Sequence, residues 1–156
     1  MKRTALLLAA ILVLAGCSNA APSTPAPGTP APSTPAQYAR ALFEGVNIER
    51  AHSGLSQLTW SECLVDKALP RAQKTLTEED LSHETLVATC NPDVAAGENL
   101  SRGQFTANEI VAKWMASAGH KANILRPGFS EAGVGCVNMP DAPQGFACSL
   151  LFEGGE

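Results

Sequence analysis

The chain has 156 residues and a mass of 16.2 kDa, room for one domain beside whatever its ends are doing. Its hydrophobic fraction of 45% is ordinary for a folded protein, and its formal charge is −4. Without Met1 to Gly16 the balance is 9 basic against 15 acidic residues, or −6, which argues against nucleic acid and against electrostatic binding to anionic lipid.

Lys2 and Arg3 precede an unbroken apolar run from Ala5 to Leu14. Ten residues are about half of what a transmembrane helix needs, so residues 1–16 read as a secretory signal. The run ends in Leu14-Ala15-Gly16-Cys17, which resembles the bacterial lipobox, where small residues precede a cysteine that is acylated and becomes residue one of the mature protein. Two or more acyl chains on Cys17 would anchor the protein stably to a membrane. Residues 17–36 continue as a Pro/Ala/Ser/Thr-rich linker holding six of the chain's 11 prolines, a composition that forms no core. In polyproline II, at about 3.1 Å per residue, it would hold a domain up to roughly 60 Å from the membrane.

The folded domain is expected over 37–156. Tyr38, Ala41, Leu42, Gly45, Val46 and Glu49 mark a first helix ending at His52-Ser53-Gly54, with Gly54 as a left-handed cap and His52 favoured by the helix dipole. Leu58 to Ser61 reads as a turn with Ser61 as N-cap. Leu64, Ala68, Ala72 and Leu76 line a second helix that Pro70 is expected to kink. Thr77 to Asp93 has no sustained period and reads as a loop carrying Ser82-His83-Glu84 and Cys90. Ala96 to Leu100 follows, then a further loop.

Thr106 and Glu109 form a capping box, and Ile110, Val111, Trp114, Met115 and Ala118 make an apolar stripe at helical period. The helix is expected to break at Ala118-Gly119-His120, with Gly119 as its stop, and to resume briefly through Asn123 before Pro127-Gly128. Two apolar runs, Gly133–Asn138 and Gly145–Phe152, flank a Pro-Asp-Ala-Pro turn and predict a β-hairpin. Helices first and a hairpin last give an α+β class.

Four cysteines remain besides Cys17: Cys63, Cys90, Cys136 and Cys148. An even count in an exported domain argues for disulfides, and no C-x-x-C spacing supports a zinc site. A hairpin centred at residue 142 places Cys136 directly opposite Cys148, leaving Cys63 with Cys90. Each bridge is worth roughly 3 kcal/mol in the chain-entropy view.

Candidates for chemistry are few. There is no H-E-x-x-H, no G-x-S-x-G and no glycine-rich phosphate loop. Spacing alone leaves His83, Glu98 and His120 as three scattered polar residues in irregular segments. A larger pattern gathers them: Asn47-x-x-Arg50, Leu58-x-Trp60, Leu81-Ser82-His83, Gly97-Glu98-Asn99-Leu100, Trp114-Met115-x-Ser117-x-Gly119-His120-x-x-Asn123-Ile124-Leu125 and Phe129-x-x-x-Gly133-Val134-Gly135, in that order. Over about residues 37 to 153 this resembles the CAP superfamily of cysteine-rich secretory proteins, antigen 5 and plant pathogenesis-related proteins, in its bacterial SCP-like branch. The resemblance implies an α-β-α sandwich with a central antiparallel sheet and a cleft lined by two His and two acidic residues, for which metal binding has been proposed.

Carried over residue by residue, His83, Glu98 and His120 match three of those four, and the second glutamate is replaced by Ser117. Asn99, Ser117 and Glu109 are further candidates for cleft lining, although the capping box already accounts for Glu109. Two imidazoles and one carboxylate suit a divalent ion such as zinc with water in an open position, a hydrolase-like arrangement. The same groups also suit one another as hydrogen-bond partners that hold the cleft together. The expectation is therefore a lipid-anchored, extracytoplasmic binding or cell-envelope module rather than an enzyme. A metal-dependent hydrolase using His83, Glu98 and His120 is the first alternative, and a small apolar-ligand carrier of lipid or sterol type is the second. Expected partners are the membrane through Cys17 and an apolar ligand or an envelope or host component, with no nucleic acid.

Overall fold

A computed structural model describes residues 34–83 and 90–155. The signal segment, Cys17 and the linker up to residue 33 lie outside the described residues, as does Glu84. The elements run α1 (Pro35–His52), β1 (Thr59–Trp60), α2 (Glu62–Thr75), β2 (Ala95–Gly103), α3 (Ala107–Ala116), α4 (Ala118–Ile124), β3 (Glu131–Asn138) and β4 (Phe146–Gly154). The strands form one sheet in the order β1-β3-β4-β2. Helix α2 packs on β3 and β4, and α1 also packs on β3 with α3 against it, giving helix, sheet and helix layers.

The period of two along β3 explains how one sheet serves both layers. Ala132, Val134 and Cys136 point into the main core with Tyr38, Leu42 and Val46 of α1 and Ile110, Val111 and Trp114 of α3. Gly133 and Gly135 point the other way, onto α2. A Cβ at either would strike the α2 backbone, at Leu64–Val65 and at Ala68–Leu69 respectively. These glycines set how closely the helix sits. On the same side Leu64 and Ala68 pack with Leu151. Covered on both faces, β4 is buried along its whole length.

Helix α1 starts at Pro35, two residues before the expected domain boundary. Thr34 is its N-cap in a capping box with Gln37, so the last Thr-Pro-Ala of the proline-rich stretch belongs to the helix. It ends as expected, with Gly54 at φ +73°.

The sheet departs from a purely antiparallel one at its edge. β2–β4 and β3–β4 are antiparallel, whereas β1 runs parallel to β3. Thr59 and Trp60, expected in a turn, form this strand because Asn47 clamps Leu58: its Nδ2 donates to the Leu58 carbonyl at 3.1 Å and its Oδ1 accepts from the Leu58 N–H at 2.7 Å. The Thr59 and Ser61 N–H groups then reach Ser130 and Ala132 carbonyls, each at 2.9 Å.

The helical break also falls earlier than expected. Ser117, with ψ 124°, separates α3 from α4, and Gly119 and His120 lie inside α4. Gly119 is not the stop. Both disulfides form as expected. Cys136 and Cys148 pair across β3 and β4 with Cα atoms 4.2 Å apart, and Cys63–Cys90 ties the start of α2 to the segment before β2.

Arg50 closes the far end of α1. It is 1% exposed, and its guanidinium donates to four carbonyls: Ser56 at 2.9 Å, Ile124 at 2.8 Å, Arg126 at 2.9 Å and Phe129 at 3.0 Å. One buried side chain thus fixes how α4 ends and how the chain enters β3. Burial pulls the Arg50 pKa below its ordinary value.

Candidate functional site

His83, Glu98 and His120 come together, each from a different kind of element. Glu98 sits in β2, where its neighbours Gly97 and Asn99 set the local geometry. A Cβ at Gly97 would crowd the Phe129 ring and the Asn123 amide oxygen, so β2 passes α4 closely only because this residue is glycine. Asn123 Nδ2 donates to the Glu98 carbonyl at 2.9 Å and to Asn99 Oδ1 at 3.0 Å. Asn99 Nδ2 donates to the His120 carbonyl at 3.1 Å. Trp114 Nε1 donates to the Leu100 carbonyl at 2.9 Å, which fixes α3 to the same strand. The two sequence blocks around Glu98 and His120 are therefore one interlocked unit.

His83 approaches from the segment after α2. Its Nδ1 lies 3.1 Å from Glu98 Oε2, and its ring meets His120 edge-on at a centroid distance of 5.7 Å. The His120 ring is half-buried beside Trp114, 6.5 Å away. Burial, and then the neighbouring His83, push the His120 pKa down, which favours the neutral imidazole. Around the three lies a cleft of 510 Å³ that Ala96, Gly97, Ser117, Gly119 and Asn123 complete. Ser117 is thus part of the lining, and Asn99 supports it from beneath.

Glu109 is not in this cleft. Its carboxylate accepts the Thr106 N–H at 2.7 Å and the Thr106 hydroxyl at 2.9 Å. Those bonds, the backbone one first, hold its pKa below the usual carboxylate range. It lies on a second and larger groove of 1220 Å³ along the outer side of α1. Tyr38, Ala41, Ile48, Phe105, Pro143 and Phe146 give that groove much of its apolar surface, and Gln37, Arg40, Glu44 and Glu109 are among the polar residues that also line it. Ile48 and Phe105 are exposed although large and apolar, at 52% and 37%. Sequence periodicity hides this groove, because its residues come from α1, the loop before α3 and the hairpin turn.

The residue that sequence reasoning missed altogether is Arg71. Leu64, Ala68, Arg71, Ala72 and Thr75 form the buried face of α2, so a charged side chain in a helical apolar stripe was the available signal. Its Nε lies 3.1 Å from Glu98 Oε1, at ion-pair distance but without hydrogen-bond alignment, and its Nη1 lies 2.9 Å from Glu78 Oε1. Its Nη2 donates to the Ser82 carbonyl. Ser149 Oγ donates to Glu98 Oε1 at 3.1 Å.

A divalent metal does not fit the described residues well. Glu98 is engaged at both oxygens, and a guanidinium stands beside it. Among the described residues, no three His, Cys, Asp or Glu side chains are grouped to hold an ion.

Three layers, a strand carrying Gly-Glu-Asn and a histidine-bearing helix locked to it define a CAP domain. The chain belongs to the cysteine-rich secretory protein (CAP) family, whose sequence profile it matches over residues 43–151. It is 34% identical over 109 residues to the uncharacterized protein YkwD of Bacillus subtilis, a match covering 64% of this chain and 42% of that protein. In structure it is similar to an outer surface protein of Borrelia burgdorferi, with TM-score 0.63, 18% identity and coverage of 75% of this chain and 92% of that one. It is also similar to the venom allergen-like protein 4 of Schistosoma mansoni, with TM-score 0.60, 14% identity and coverage of 75% and 88%. An extracellular SCP-domain protein of Bacillus anthracis gives TM-score 0.55 at 23% identity, covering 80% of this chain and 45% of that one. Identities this low speak for the fold alone.

Proposed function

We propose that this CAP domain is a non-catalytic binding module working outside the cytoplasm, tethered through lipidated Cys17, and that its ligand is a slender apolar molecule such as an acyl chain. The groove along α1 carries this reading. It is large and open, and aromatic and aliphatic side chains from α1, the loop before α3 and the hairpin line it together with polar ones. Two disulfides, and relatives described as extracellular or outer-surface proteins, support the location. The hydrolase alternative lacks comparable support, because both carboxylate oxygens of Glu98 already serve Ser149 and His83.

About fourteen methylenes leaving water contribute roughly 11 kcal/mol gross, and an association cost of about 4 kcal/mol leaves a Kd on the order of 10 µM. Fluorescence titration of the protein with a fluorescent fatty acid tests this. Saturable micromolar binding is expected, weakened tenfold or more by Ile48→Asp or Phe105→Asp and unchanged by His120→Ala. No saturable binding, or binding lost only in His120→Ala, refutes the groove. A mature protein whose mass shows no acyl group on Cys17 refutes the tether.

A further inference from the structure

We infer that Arg71 is the cleft's own cation: it balances Glu98 where a divalent metal would otherwise do so, and it makes the His83–Glu98–His120 cluster a metal-independent hydrogen-bonded site. The inference does not depend on the groove. Arg71 and Glu98 are buried together, with side chains 7% and 1% exposed and 3.1 Å between Nε and Oε1. A carboxylate removed from water needs a counter-charge, and here α2 supplies a permanent one.

The geometry leaves little for an incoming ion. Glu98 Oε1 faces Arg71 and accepts from Ser149, while Oε2 faces His83 Nδ1. A metal bound to either oxygen would sit within a few ångströms of the guanidinium, cation against cation. The His83 contact orients that ring with Nδ1–H toward Glu98 and Nε2 outward. Among the described residues, imidazole nitrogens of His83 and His120 then remain as ligands, two where zinc sites of catalytic type take three from the protein.

Arg71 also reaches the segment that carries His83, through Glu78 and the Ser82 carbonyl. The same side chain that neutralises Glu98 therefore positions His83 over it. Replacing the guanidinium with an apolar group should free the carboxylate to bind metal.

Calorimetric titration of the mature protein with zinc alone tests this, using wild type, Glu98→Gln, Arg71→Met and the double variant. The expected result is weak or no binding in wild type, changed less than twofold by Glu98→Gln. Arg71→Met should bind zinc at least tenfold more tightly, and adding Glu98→Gln should remove the gain. Wild-type zinc binding that Glu98→Gln weakens tenfold or more overturns the inference, as does a cooperatively folded Arg71→Met that binds no more tightly than wild type. If Arg71→Met does not fold, the comparison of wild type with Glu98→Gln decides by the same criterion.

Discussion

Replacing Arg50 with lysine keeps the charge and removes the fork. The guanidinium spreads its donors over the carbonyls of Ser56, Ile124, Arg126 and Phe129, which come from separate parts of the chain. An ammonium offers three donors from a single point on a longer, freer stem, so it reaches about two of these carbonyls at once. Each buried carbonyl left without a partner costs about 1–3 kcal/mol, so Arg50→Lys should lose about 2–6 kcal/mol. Against a total stability of roughly 5–15 kcal/mol for a domain, that is a large fraction. The melting temperature should fall by on the order of 10 °C. Urea denaturation followed by circular dichroism measures the loss, and native-state hydrogen exchange locates it, with the Leu125, Arg126 and Phe129 amides opening first. A loss below about 1 kcal/mol, or exchange that rises evenly over the domain, would refute the view of Arg50 as the clasp between α1, α4 and β3.

Gly135→Ala should destabilise by about 1–3 kcal/mol or more, because its methyl group meets α2 backbone rather than a movable side chain; a denaturation midpoint equal to wild type would show that α2 shifts freely. Tyr38 is the chain's single tyrosine, so spectrophotometric titration reads it directly. Burial first, and Glu109 second, push its pKa from 10.0 up to about 12, while its hydroxyl donates to the Phe105 carbonyl at 2.8 Å. Because the folded value is the higher one, the associated stability is complete below pH 10 and is lost as pH rises through about 12. A phenol titrating near 10 in the folded protein would mean that the floor of the groove is wetter than its contacts imply.

The parts of the fold legible in the sequence were those governed by local rules. The Thr106–Glu109 cap, the Gly54 terminus and the opposition of Cys136 and Cys148 each follow from spacing within one element or one hairpin. Strand β2 escaped because it reads as Ala-Ala-Gly-Glu-Asn-Leu-Ser-Arg-Gly, polar and glycine-rich, and is buried only because Ser149, Asn123, His83 and Arg71 meet its polar groups. Strand β1 is two residues long and exists through the Asn47 clamp, which no periodicity reveals. At the site, family resemblance supplied His83, Glu98 and His120, and structure added the partner that decides their chemistry. Arg71 stands 27 residues before Glu98, and nothing in that interval announces the pair.

The start of α1 has a mechanical consequence. Thr34 caps α1 and Pro35 is its first residue, so a load reaching Thr34 is passed straight to the helix. A pull arriving from residue 33 would load the first turn of α1, and the Tyr38–Phe105 bond would be among the earliest to shear. The helix would unzip from that end, while the disulfides withheld the segments between Cys63 and Cys90 and between Cys136 and Cys148, separations of 27 and 12 residues, from stretching. Under tension the domain would therefore yield at its groove first.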